Sequence, residues 1–85
     1  MVELKIDRYG DKRWYQYSRI HRTNMPAIIY SNGNKEWCRN DLFHRLDGPA
    51  IEYIDNQKYW FYENQHIECN SQEEFERLIK LKLLW

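Results

Sequence analysis

The sequence predicts a mainly β (α+β) domain: an antiparallel sheet of short hairpin repeats, about three units, with one C-terminal α-helix. Three observations predict it. Trp14, Trp37 and Trp60 recur at intervals of 23 residues. Turn-forming pairs such as Asn32-Gly33 and Asp47-Gly48 punctuate short runs rich in β-branched and aromatic residues. From Ser71 onward the apolar spacing changes to that of a helix.

The period extends well beyond tryptophan. Lys12, Lys35 and Lys58 each stand two residues before a Trp, and Gly10 and Gly33 four before, with Asn56 in the third copy. His21-Arg22 and His44-Arg45 occupy one phase; Pro26 and Pro49, Ala27 and Ala50, Ile28 and Ile51, and Tyr30 and Tyr53 match likewise. Agreement at so many positions marks tandem units that must stack to bury a core. Each unit reads as two short strands. The expected strands are 2–7, 12–17, 27–31, 35–39, 42–44, 50–54 and 58–62, with turns at 9–11, 32–33, 40–41 and 55–56. A bend is expected at Asp47-Gly48-Pro49, where Pro fixes φ and Gly permits positive values.

The last segment starts with Ser71-Gln72-Glu73-Glu74, a capping box in which hydroxyl and carboxylate satisfy opposite orphan amides. Acidic residues fill the first turn and Lys80 and Lys82 the last, complementing the helix dipole. Phe75, Leu78, Ile79, Leu81, Leu83 and Trp85 share a broad face at about 100° per residue. A helix over 72–84 is predicted, covering an open end of the array. The organisation is then a repeat sheet over 1–70 and a capping helix over 71–85 of the same domain.

The stretch Asn32-Gly33-Asn34-Lys35-Glu36-Trp37 through His44-Arg45-Leu46-Asp47-Gly48-Pro49-Ala50-Ile51-Glu52-Tyr53 resembles the HRxDGPA-type repeats of small phage and prophage proteins. Those in turn resemble MORN repeats, whose units form successive hairpins in one elongated sheet. The likeness covers residues 7–67. It departs at Thr23-Asn24-Met25-Pro26 in the first copy, and the third copy stops before any Pro-Ala. The resemblance implies a MORN-like sheet and a phage source; it carries no catalytic residues, because the motif is a folding motif.

Composition narrows the function. The 85 residues include 13 Lys plus Arg and 13 Asp plus Glu, so the formal charge is zero. A general binder of nucleic acid or anionic membrane draws its affinity from surplus cations, which this chain lacks. Its longest purely apolar stretch, Ala27-Ile28-Ile29-Tyr30, is far short of a membrane span. Residues 1–6 alternate charged and apolar side chains, unlike a signal-peptide core, so a cytoplasmic location is expected, in the host cytoplasm for a phage protein. Cys38 and Cys69 have no CxxC spacing; free thiols are the expectation and one disulfide the alternative.

His21 and His44 with their arginines raise the question of acid–base chemistry. Equal phase in consecutive hairpins separates two backbones by about 9.5 Å, at ~4.8 Å per strand, which is wide for one proton-transfer centre. The same spacing argues against a zinc site from His21, His44, His66 and a cysteine, whose ligands must converge on one ion. No enzyme activity, metal or cofactor is therefore expected. Trp14, Trp37, Trp60, His21, His44, Pro26 and Pro49 are assigned to the framework.

Binding remains, and the tyrosines carry it. Alternate strand residues point to opposite faces, so the aromatics of so thin a sheet cannot all be buried. Tyr15, Tyr17, Tyr30, Tyr53 and Tyr62, with Arg19, Arg22, Glu52 and Asp55, are the predicted binding residues, of types favoured at interface centres or placed by charge. Residues 1–22 hold six basic and three acidic groups; residues 23–70 hold four basic and seven acidic, among them Asp41, Asp47, Glu52, Asp55, Glu63 and Glu68. The predicted partner is a host protein, a nucleic-acid-handling defence effector in the sharpest form, which an anti-CRISPR-like inhibitor occupies. Two alternatives are a single-strand or nucleotide binder using Lys12, Arg13, Arg19 and Arg22 with the neighbouring aromatics, and a self-associating module whose open sheet edges pair.

Overall fold

The structure is a computed structural model that describes residues 2–83. The chain runs through β1 (Glu3–Ile6), β2 (Lys12–Gln16), β3 (Arg19–Ile20), β4 (Ile28–Ile29), β5 (Lys35–Glu36), β6 (Cys38–Arg39), β7 (Leu42–Phe43), β8 (Ile51–Glu52), β9 (Lys58–Tyr62), β10 (Gln65–Ile67) and α1 (Gln72–Leu83). An antiparallel sheet runs in the order β1-β2-β4-β5-β8-β9-β10, with β3 on the side of β2, and β6-β7 form a separate hairpin. Leu84 and Trp85, which the helical periodicity includes, lie outside the described residues.

The strands are shorter and more numerous than the alternation predicts, because each long strand changes neighbour at its tryptophan. Trp14 donates its N–H to the Ala27 carbonyl at 2.9 Å, while its own carbonyl accepts from His21 N–H at 2.9 Å. Trp37 repeats this with Ala50 at 2.7 Å and His44 at 3.1 Å. Residues before Trp14 and Trp37 therefore pair with the following segment, and residues after them pair with their own returning strand; in β9, Lys58 and Tyr59 pair with β8 and Trp60 to Tyr62 pair with β10. The expected strand 35–39 is thus split into β5 and β6 at Trp37. Strand 27–31 narrows to β4, since Tyr30 N–H already closes the hairpin onto the Asn34 carbonyl at 2.9 Å.

Two kinds of turn alternate. In the first, Gly10 (φ 86°), Gly33 (φ 99°) and Asn56 (φ 71°) supply the left-handed residue. A Cβ at Gly33 would also lie 2.9 Å from Ile54 Cγ2. In the second, both central residues are left-handed: Tyr17-Ser18 (φ 51° and 65°), Asn40-Asp41 (50° and 70°) and Glu63-Asn64 (44° and 69°). These are mirror-image hairpin turns, which match the right-handed twist of the flanking strands.

Turn side chains join one segment to the next. Asp41 Oδ1 accepts Ile20 N–H at 2.7 Å, and Asn64 Oδ1 accepts Phe43 N–H at 3.3 Å. Asp11 Oδ1 accepts Ser31 N–H at 2.7 Å, and Asn34 Oδ1 accepts Ile54 N–H at 3.0 Å. Ser18, at the equivalent place in the first of these turns, makes no such bond among the described residues.

The core is thin; besides the buried Trp37, Ala50 and Ile51 it contains two clusters. Ala27, Ile28 and Cys38 pack with Ile20, Tyr30 and Phe43; Trp60, Phe75 and Ile79 pack with Tyr62, Ile67 and Cys69. The helix closes the second. Ser71 Oγ accepts Glu74 N–H at 3.1 Å, the N-terminal half of the expected capping box. Gln72 accepts the Trp60 indole N–H at 2.8 Å and donates to the Leu46 carbonyl at 2.8 Å, tying helix, sheet and the 44–49 loop together. Among the described residues of the predicted apolar face, Phe75 and Ile79 are buried and Leu81 and Leu83 are exposed.

Phe75→Ala should cost about 3–5 kcal/mol in urea unfolding, since a fully buried ring would leave a cavity under the helix. Tyr17→Asn with Ser18→Gly should instead raise stability, by about 1 kcal/mol, because both residues suit the left-handed turn. A lowered unfolding midpoint would show that the Tyr17 turn is not strained.

Candidate binding surfaces

Residues directly opposed across antiparallel strands share a face, so the register sorts the side chains. One face carries Leu4, Ile6, Lys12, Trp14, Ile29, Lys35, Glu52, Lys58, Trp60 and Tyr62; the other carries Glu3, Lys5, Arg13, Tyr15, Ile20, Ile28, Glu36, Cys38, Phe43, Ile51, Tyr59, Phe61 and His66. The helix sits on the first, against Trp60.

On the tryptophan face, the Arg22 guanidinium lies 3.9 Å from the Trp14 ring centroid and Arg45 lies 3.8 Å from that of Trp37. Each is held by the carbonyl of a proline, Arg22 by Pro26 at 3.2 Å and Arg45 by Pro49 at 3.0 Å. Arg45 also pairs with Asp47 at 3.0 Å and Glu52 at 3.6 Å. A Cβ on Gly48 would fall 2.6 Å from the Arg45 Cζ, so glycine leaves room for the stack. Third in the series, Trp60 has the helix over it instead of an arginine.

A cleft of about 350 Å³ opens between the 21–24 and 44–47 loops, bordered by His21, Trp37, Arg39 and His44. Two of the three histidines thus border one cleft; His66 lies elsewhere, on the opposite face. Their chemistry is already committed. Asn40 N–H donates to His21 Nδ1 at 3.2 Å, and Glu63 N–H donates to His44 Nδ1 at 3.0 Å. An imidazole whose Nδ1 accepts a backbone N–H carries its proton on Nε2, leaving no lone pair for a metal or for a general base. Arg39 is paired with Glu63. No cluster of three or more metal-ligating side chains occurs among the described residues.

The opposite face bears a continuous run of rings. Phe43 and Phe61 have centroids 5.1 Å apart, Phe61 and His66 5.3 Å, His66 and Tyr59 6.0 Å, and Tyr59 and Tyr53 5.8 Å. His66 is exposed and the other four are half-buried. Tyr30 extends the surface toward the N-terminal end, with Arg13 at 5.8 Å from its ring, and Tyr15 lies under Lys5 at 5.1 Å. Burial and the adjacent Glu36 push the Tyr30 hydroxyl up to about 12, so it stays a neutral hydrogen-bonding group. An open hollow between Tyr30 and Tyr53 is bordered by Glu36, Asn32 and Asn34.

The predicted binding residues divide accordingly. Tyr15, Tyr30 and Tyr53 belong to the ring face. Tyr17 projects from its turn, 85 % exposed, and Arg19 is exposed beside it. Arg22 and Glu52 are engaged in the Trp–Arg framework. Asp55 closes its own turn, accepting Gln57 N–H at 3.2 Å. Tyr62 packs against the helix cluster and the His44 ring, at 5.2 Å, on the tryptophan face. Phe43, Tyr59, Phe61 and His66 were missing from the predicted set. Period-two alternation through Tyr59-Trp60-Phe61 places the outer two opposite the tryptophan, and this signal was available in the sequence.

Most of the acidic residues of the 23–70 stretch are held by contacts within the chain. Asp41, Asp47, Glu52, Asp55 and Glu63 are all engaged within the chain. Of the basic end, Lys12 is on the tryptophan face and Arg13 on the other, where Asp7 holds it at 3.0 Å. Cys38 and Cys69 are free thiols; burial pushes Cys38 up to about 12 and also raises Cys69, so both are poor nucleophiles. No helix among the described residues is long and apolar enough to cross a membrane. No family model, curated protein or solved structure matches this chain.

Desolvation, reinforced by the Arg39 charge and opposed by Glu63, holds the His44 imidazole below its ordinary value of 6.5. The unfolded chain then takes up a proton that the folded chain resists, so stability is full above about pH 6.5 and falls on acidification toward the lower folded value. His44→Gln, whose amide oxygen can still accept Glu63 N–H, should flatten the decline of the urea midpoint between about pH 7 and pH 5. An equal slope in both proteins would mean that His44 is not kept neutral.

Proposed function

We propose that this chain is a non-catalytic protein-binding module that docks through its aromatic sheet face. The supporting observation is the unbroken run of Phe43, Phe61, His66, Tyr59 and Tyr53 on the face opposite the helix. Aromatic rings bring large area at small entropy cost, and half-buried rings are already partly immobilised. The committed histidines and the high thiol pKa of Cys38 argue against turnover. In its narrower form, the partner is a nucleic-acid-handling defence protein of a bacterial host, and the module is a phage-borne inhibitor acting in the host cytoplasm. That form rests on the resemblance of His44-Arg45-Leu46-Asp47-Gly48-Pro49-Ala50 to phage repeats.

Affinity purification from a bacterial host lysate, scored for protein and nucleic acid together, tests the reading. A saturable protein partner is expected. Tyr53→Ala and Tyr59→Ala should each weaken it by about 2 kcal/mol, roughly thirtyfold, while circular dichroism stays native. Undiminished capture by the double variant, or recovery of nucleic acid alone with steep salt dependence, would refute it.

A further inference from the structure

We propose that a second copy of this chain pairs along the open edge of β1, antiparallel and in the register centred on Leu4. β1 has β2 on one side and no strand on the other among the described residues. Its free side exposes an apolar row on the tryptophan face: Val2 is 40 %, Leu4 44 % and Ile6 57 % exposed. Alone, such an edge is an invitation to pairing.

The hydrogen-bond phase fixes which backbone groups point outward. Trp14 sends both its N–H and its carbonyl away from β1, to Ala27 and His21. Leu4, opposite Trp14, is therefore in a non-hydrogen-bonded pair, and its N–H and carbonyl face the open edge. Ile6, opposite Lys12, has the same phase, and alternation extends it to Val2. Asp7 N–H reaches the Asp11 carbonyl at 3.1 Å, in keeping with odd-numbered residues turned toward β2.

A two-fold axis at Leu4 sets Leu4 against Leu4 of the second copy, Val2 against Ile6, and Glu3 against Lys5. The outward backbone groups of Val2, Leu4 and Ile6 then meet their equivalents, the apolar row becomes continuous across the junction, and Glu3 and Lys5 face opposite charges. The two adjacent two-fold registers set Lys5 against Lys5 or Glu3 against Glu3, which opposes them. The strand is thus self-complementary in backbone, apolar row and charge, as an isologous contact requires. Since the axis is perpendicular to the sheet, both aromatic faces lie on the same side of the joined sheet. The pairing does not depend on what those faces bind.

Sedimentation of the full chain tests this with charge variants. Wild type should form a dimer in a concentration-dependent manner. Glu3→Lys places Lys against Lys and Lys5→Glu places Glu against Glu, so each alone should dissociate at least tenfold more readily; an equimolar mixture of the two, and the double variant E3K/K5E, should recover the dimer. Monomeric wild type, single variants as dimeric as wild type, or a mixture without recovery would each overturn the pairing. A Leu4→Cys variant in a Cys69→Ser background leaves the charges intact and should form an inter-chain disulfide on oxidation, since hydrogen-bonded antiparallel pairs hold their Cα atoms about 5.5 Å apart. Absence of that cross-link would equally overturn it.

Discussion

Most of this structure depends on one constraint: the backbone groups of a strand two to five residues long must be satisfied by the next segment of chain. Trp14 and Trp37 show how. Each gives its N–H forward to an alanine carbonyl and receives, on its own carbonyl, the N–H of its returning histidine. The fully buried Ala27 and Ala50 suit this close approach, having no bulk to hold the strands apart. A single segment leaves half of these bonds open, so the segments stabilise one another or not at all. Side chains repeat the logic, with Asp11, Asn34, Asp41 and Asn64 each reaching the backbone of a neighbouring segment.

The same constraint explains how the array ends. Where Trp14 and Trp37 are roofed by Arg22 and Arg45, Trp60 is roofed by Phe75 and Ile79, and its indole N–H is taken by Gln72. The helix thus replaces an arginine roof with an apolar one and reaches back to the Leu46 carbonyl of the preceding loop. At the other end β1 has no second neighbour among the described residues, and its apolar residues remain exposed. The two ends are physically unlike: the helix packs on the tryptophan face beside β9 and β10, whereas no element covers that face at β1 among the described residues.

The proposed function rests on which groups the framework consumes. Of the residues that look most like chemistry, His21 and His44 spend Nδ1 on backbone N–H groups, while Arg22 and Arg45 bond to proline carbonyls and lay their guanidinium groups on Trp14 and Trp37. The rings of the opposite face make few polar commitments and lie side by side. A surface of that kind suits association with another protein more than it suits the handling of a reacting group.

The sequence by itself determined the 23-residue spacing of the tryptophans, the turns at Gly10, Asn32-Gly33, Asn40-Asp41 and Asn56, and the C-terminal helix with its Ser71 cap. These are local matters of spacing, turn chemistry and capping, in which a residue type and its neighbours suffice. The turns at Tyr17-Ser18 and Glu63-Asn64, and the stacking of Arg22 on Trp14, were not legible in it. Only the tertiary structure decided that Trp37 splits a strand, that Asp41 and Asn64 join segments, and that Tyr62 faces the helix whereas Tyr53 and Tyr59 face away from it. Those facts depend on register between segments some 20 residues apart. A one-residue difference in register exchanges the two faces of a strand, and only the assembled ladder fixes it.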